Sequence, residues 1–159
     1  MMDQGNFSEA KIQQDAITHI RNQFPETYGC LYHIANGGYR DPRTATILTG
    51  QGVVPGVQDL HLIWAGKLYL IEVKTSSGQV DPAQKVVHAQ HKKQGFDTYI
   101  FRTSKEIISF VEYVLKSQNI DHFNGFISPF SKAENLHLYQ EEYRVFRQSK
   151  FTQKSKNLL

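Results

Sequence analysis

The chain has 159 residues with 18 Lys and Arg against 15 Asp and Glu, a formal net charge of +3. That length fits one domain able to bury a core without staples, and the charge surplus is too small to demand a polyanionic partner. A single cysteine, Cys30, excludes an intramolecular disulfide and a cysteine-based zinc cluster and suits a reducing compartment; with no basic-then-apolar leader and no membrane-length apolar run, the expectation is a soluble cytoplasmic protein without a membrane partner.

Ser8 before Glu9-Ala10-Lys11-Ile12 predicts an N-cap and a helix to about Gln23, ended by Pro25. Ile12, Ala16, Ile20 and Phe24 recur every fourth residue, an apolar stripe that packs on a core. Glu9 lies on or beside the extension of that stripe; it complements the positive end of the helix dipole or points to a cleft rim. Leu31-Tyr32-His33-Ile34 is a short strand candidate, and Asn36-Gly37-Gly38 is a turn signal. Pro42 opens a short helix candidate, with Gly50 and Gly52 as breakers.

The next stretch organises the chain. Val57 to Trp64 and Lys67 to Lys74, rich in branched and aromatic residues, flank Ala65-Gly66 and predict a hairpin. A two- or four-residue loop pairs Trp64 with Lys67 and hence Asp59 with Glu72, whereas a three-residue loop shifts the register by one. In the first case Asp59, Glu72 and Lys74 share one face, and Leu60, Leu62, Trp64, Tyr69, Ile71 and Val73 line the other. Facing carboxylates have Cβ atoms roughly 5 Å apart, and at an effective dielectric near 20 they repel by about 3 kcal/mol. Each charge taken singly has a plain role as strand edge, surface charge or salt-bridge partner. The three together on one face suit a divalent cation, which wants one or two carboxylates, water and phosphate oxygens.

Thr75 to Val80 is a polar loop. Asp81-Pro82-Ala83-Gln84 has the capping-box pattern, with Pro at the first helical position, and predicts a helix to about Gln94, stopped by Gly95. Gln84, His88 and His91 share one side of it; the two histidines are a weak metal signal without a third ligand. Phe96 to Arg102 is a predicted strand, and Ser104 is expected to cap a helix carrying Ile107, Ile108, Val111, Val114 and Leu115 to about Ser117. Beyond it, Leu136, Leu138, Tyr143, Val145 and Phe146 fit strands or a helix. Arg144, Arg147, Lys150, Lys154 and Lys156 make a basic tail that contacts phosphates or is simply solvated.

This order, with Asp59 and Glu72-Val73-Lys74 on the hairpin, resembles the PD-(D/E)XK nuclease superfamily. A fuller set of motifs looks like its VRR-NUC branch, found in small stand-alone proteins of bacteria and phages and in larger repair enzymes. The set is Asn36-Gly37-Gly38-Tyr39-Arg40, Gly52-Val53-Val54-Pro55-Gly56-Val57-Gln58-Asp59-Leu60, Ile71-Glu72-Val73-Lys74, Asp81-Pro82-Ala83-Gln84 and Gly95. It departs from the family at Gln58, where Pro is usual, and at Asp81, where Ser is common. The likeness implies an α/β fold with a restriction-endonuclease-like core: a mixed β-sheet with a central β-hairpin flanked by helices in the order αβββαβα, over 1–118, plus a C-terminal extension, 119–159. It implies that Asp59, Glu72 and the Val73 carbonyl hold Mg2+ or Mn2+, that Glu9 completes the metal site, and that Lys74 orients or activates the attacking water. Gln84 would bond that water or a phosphate, and Asn36, Arg40 and Arg43 would contact nucleic acid.

The resulting expectation is a metal-dependent endonuclease acting on DNA, selective for branched or flap structures because no helix-turn-helix or zinc finger is present to read bases. It needs no small-molecule cofactor and acts as a homodimer, since one site cuts one strand. The alternatives are a catalytically silent nuclease fold used for DNA binding or assembly, and a restriction-type enzyme whose specificity resides in residues 120–159.

Overall fold

Helix α1, Glu9–Gln23, begins where the Ser8 side chain accepts the Lys11 N–H at 3.2 Å and ends at Phe24. It buries Ile12, Ala16 and Ile20, the stripe read from the sequence. This is a computed structural model that describes residues 7–36 and 40–117. After a 3-10 turn at Pro25–Thr27 come strand β1, Leu31–His33, and helix α2, Pro42–Gly50, capped by the Asp41 carboxylate on the Thr44 N–H at 3.1 Å. Helix α2 buries none of its residues.

Strands β2, Leu60–Trp64, and β3, Lys67–Val73, form the central hairpin. Ala65 and Gly66 both have positive φ, 50° and 72°, the condition for a type I′ turn whose twist matches the flanking strands. Trp64 faces Lys67 and Leu60 faces Ile71, so the two-residue register holds. Helix α3, Pro82–Lys93, then crosses over to β4, Thr98–Phe101, which runs parallel to β3, and helix α4, Ser104–Ser117, closes the described chain. The sheet order β1-β2-β3-β4 is mixed. The element order differs from the expected one by the added helix α2.

Leu60, Leu62, Trp64, Ile71 and Val73 are buried against α1 and α4, as strand alternation requires. Tyr69, Tyr99, Phe101 and Phe110 pack at the margin of this core, with the Tyr99 and Phe110 ring centroids 4.5 Å apart. Helix α3 covers the opposite face of the sheet through polar side chains, described below. No helix among the described residues is long and apolar enough to cross a membrane.

Three local expectations change. Val57 to Asp59 does not join the ladder: Gly56, at φ 89°, runs so close to α3 that a Cβ there would lie 2.6 Å from the Ala83 carbonyl carbon, and the chain pairs only after this contact. Phe96 and Asp97 likewise precede β4, as the Phe96 N–H bonds back to His91. The cap of α4 is Thr103, not Ser104. Its hydroxyl accepts the Glu106 N–H at 3.2 Å and Glu106 Oε2 accepts the Thr103 N–H at 3.0 Å, a reciprocal capping box one residue earlier than expected. Segment 119–159, with its basic residues, and Gly37, Gly38 and Tyr39 lie outside the described residues.

Candidate active site

The hairpin delivers the acidic groups from two adjoining strands. Asp59 sits just before β2; its backbone carbonyl accepts the Ile34 N–H at 2.9 Å and His33 Nδ1 lies 2.8 Å from the same oxygen. Its carboxylate Oδ2 accepts the Val73 N–H at 2.8 Å, which ties it to the end of β3. Glu72 precedes that peptide on the opposite face from Ile71 and Val73, and none of its surface is exposed. Lys74 follows, 6% exposed, its N–H donating to the Phe101 carbonyl.

Glu72 Oε1 receives Lys74 Nζ at 2.9 Å and the Gln84 amide. Glu72 Oε2 has no hydrogen-bond partner, although it is buried; His88 Nε2, also buried and unpartnered, stands 3.5 Å away. Burial first, then the charges of Asp59 and Glu9, push the Glu72 carboxyl up to about 7 against the opposing pull of Lys74. For Lys74, burial acts to lower the pKa, but Glu72, Glu9 and Asp59 outweigh it and hold the ammonium above its usual value. Burial lowers the His88 pKa, with His91 and Lys74 acting in the same direction.

Glu9, at the first turn of α1, approaches Lys74 Nζ at 3.7 Å. Gly78 makes this possible, since a Cβ at that position would meet Thr75 Oγ1 at 2.9 Å and Glu9 Oε1 at 3.3 Å. The loop carrying Gly78 is held by Arg102, whose Nη1 donates to the Thr75 carbonyl and, at 2.9 Å, to the Gly78 carbonyl.

Helix α3 supplies the remaining polar groups. Gln84 completes the capping box by accepting the Asp81 N–H on Oε1 at 3.0 Å, while its Nε2 donates to Glu72. Both ends of its amide are therefore engaged within the protein. Seven residues on, His91 Nδ1 lies 3.0 Å from Gln58 Oε1, and Gln58 Nε2 donates to Thr98 Oγ1 at 2.7 Å. Gln58 is fully buried; at the position next to Asp59 it links the start of β2, α3 and β4.

The fold thus gathers Glu9, Asp59, Glu72, Val73, Lys74 and Gln84. The proposed nucleic-acid contacts are more dispersed. Arg40 donates to the Ala35 carbonyl, Asn36 has a buried Nδ2 without a partner, and Arg43 is exposed on α2. Sequence reasoning gave Gln58, Gly56 and Arg102 no part in the arrangement, and noted His88 beside Gln84 only as a weak metal signal. For Gln58 the available signal was its place beside Asp59, where the resembled family usually has Pro.

Among the described residues no three His, Cys, Asp or Glu side chains lie close enough to enclose a cation by themselves. The donor chemistry nevertheless fits a hard divalent ion: two carboxylates, one with a buried oxygen lacking any hydrogen bond, which leaves other positions to water and substrate oxygens.

By sequence, no family model and no curated protein matches this chain. By structure it is similar to a protein named VRR_NUC domain protein, at 19% identity and a TM-score of 0.58, over 70% of this chain and 90% of the other. The shared property at that identity is the fold.

Proposed function

We propose that this chain is a metal-dependent nuclease that hydrolyses phosphodiester bonds in DNA, with Asp59 and Glu72 as the acids that hold the cation and Lys74 as the cationic partner of the reacting phosphate. One observation carries the reading: a wholly buried Glu72 has an oxygen without a hydrogen bond, beside a buried lysine and next to the Val73 N–H that the Asp59 carboxylate accepts. A buried carboxylate left this way costs stability unless a ligand completes it. The fold shared with the VRR_NUC domain protein supports the same reading.

Phosphodiester hydrolysis requires on the order of 20 kcal/mol of transition-state stabilisation. A bound Mg2+ or Mn2+ would supply a more acidic water and charge neutralisation at phosphorus. The chain's own groups do the rest. Lys74, fixed between Glu72 and Glu9, presents a positive charge where the phosphate gains negative charge. Gln84 holds the Glu72 carboxylate in place. Val73 anchors Asp59 through its N–H, and its carbonyl belongs to the proposed ligand set, with Glu9 as an outer acid beside Lys74. Asn36, Arg40 and Arg43 lie upstream of Asp59 and are proposed to meet the DNA backbone.

The test is cleavage of labelled four-way junction, flap and plain duplex DNA with Mg2+ or Mn2+. The expected result is cutting of at least one branched substrate in preference to duplex, with at least a hundredfold loss, about 3 kcal/mol, in Asp59→Ala and Lys74→Ala. Substrates left intact, or variants as active as the parent, would rule the reading out. A silent DNA-binding module is the second reading, favoured by the internal neutralisation of Glu72 by Lys74. It predicts no Mn2+ uptake that depends on Glu72.

A further inference from the structure

Lys74 and Arg102 leave the sheet side by side. Strands β3 and β4 run parallel with Val73 opposite Phe101, and the Lys74 N–H donates to the Phe101 carbonyl at 2.9 Å, so the residues that follow sit on tracks about 4.8 Å apart. Val73 and Phe101 both pack toward the apolar core, and alternation turns the next residue of each strand to the other face. There the Arg102 guanidinium meets the loop that follows Lys74. Its Nη1 donates to the carbonyls of Thr75, of Gly78 at 2.9 Å and of Ser76 at 3.3 Å.

The loop uses only one nitrogen of the group. A guanidinium carries five N–H donors; those on Nη1 are taken up by the loop, while Nε and Nη2, the fork that fits a phosphate bidentately, have no partner among the described residues. No carboxylate of the described residues pairs with Arg102 either, whereas Lys74 is held by Glu72 and Glu9. A guanidinium fixed at one end and unpaired at the other loses little freedom on taking up an anion.

We infer that Arg102 binds a backbone phosphate of the DNA, one that flanks the scissile phosphate beside Lys74. The inference rests on the nuclease reading and adds to it a contact on the other side of the cut. The sheet order β1-β2-β3-β4 and its strand directions bring the end of β1, the start of β2 and the ends of β3 and β4 to one edge of the molecule. Asn36, Asp59, Lys74 and Arg102 therefore follow one another across the sheet, over roughly 14 Å at the usual strand spacing. The acids stand in the middle of that track, with Asn36 on the β1 side and Arg102 on the β4 side, so a strand laid along it is held on both sides of the bond to be broken.

The experiment measures DNA binding by the full chain, without cleavage. Fluorescence anisotropy of labelled junction and duplex DNA is followed against salt concentration, in chelator and again with Ca2+, for the parent, Arg102→Gln, Arg102→Lys and Lys67→Gln. Lys67 is exposed at the opposite end of β3 and serves as a control for loss of one charge; thermal unfolding establishes that each variant is folded. In Arg102→Gln the slope of log affinity against log salt should fall by about 1 and affinity by about tenfold. Arg102→Lys should keep the parental slope, because its ammonium still meets a phosphate, at reduced affinity. Lys67→Gln should match the parent. Nitrogen-15 spectra of the parent itself give a reading independent of any variant's folding: the Arg102 Nε–H signal should move downfield when a short duplex is added.

A parental slope in Arg102→Gln overturns the inference and leaves the nuclease reading standing, since Arg102 would then only clamp the loop. Equal losses of slope in Arg102→Gln and Arg102→Lys overturn it too, because the loss would follow the clamp and not the charge. So does a Lys67→Gln slope as low as that of Arg102→Gln, or an Nε–H signal that DNA leaves unmoved. If the parent binds DNA in neither buffer, the nuclease reading falls together with the inference.

Discussion

At Glu72 a carboxyl group is enclosed by a lysine, a glutamine and a histidine with none of its surface in water. Burial raises its pKa from the ordinary 4.5 to about 7, helped by Asp59 and Glu9. Between those two values the folded chain retains a proton that the unfolded chain has released, so stability of the metal-free protein falls as pH rises through the window and levels off above it. The loss amounts to about 3 kcal/mol at most. Melting temperatures measured in chelator from pH 4 to 8 should show this decline, and Glu72→Gln should flatten it. An unchanged slope in that variant would assign the titration to another group. Added Mn2+ should restore stability most at the alkaline end, where the cation no longer competes with a proton.

Among the elements, α3 bears most on the site although it contributes no buried residue. It is located by contacts at both ends. Gly56 lets the preceding loop pass against its first turn, and Gln58 engages His91 near its end. Gly56→Ala would place a Cβ into the Ala83 backbone at a φ that L residues avoid, and should cost about 1 to 3 kcal/mol and weaken Mn2+ uptake through displacement of Gln84. Gln58→Leu should cost a similar amount, about 1 to 3 kcal/mol, by leaving His91 and Thr98 without their partner. Urea unfolding of both variants checks the stabilities, and full parental stability in either would remove that contact from the account. Much of this level was legible beforehand. Ser8 and the Asp81 to Gln84 capping box set two helix starts through short-range bonds, and the Ala65-Gly66 turn set the hairpin register. Gly56 against Ala83 and Gln58 with His91 were not, because their partners are 27 and 33 residues away and no local pattern encodes them.

At the scale of the fold, among the described residues the candidate site lies on one side of the sheet and the apolar core on the other. A single site cuts a single strand, so a junction-cleaving enzyme requires two copies. Sedimentation of the full chain with and without four-way junction DNA should show a dimer in at least one condition. A monomer in both would leave cleavage of one strand, as in a flap, as the consistent activity. Salt should weaken DNA binding steeply if Arg40, Arg43 and the basic residues from Arg144 onward meet phosphates.

The amino-acid order by itself determined the starts of α1 and α3 and the hairpin register, because caps and turns act over a few residues. The depth of Glu72, the engagement of Lys74 by two carboxylates and the approach of His88 were decided only in three dimensions. Those properties depend on which helix covers the polar face of the sheet and at what height, and that is set by contacts between residues far apart in the chain.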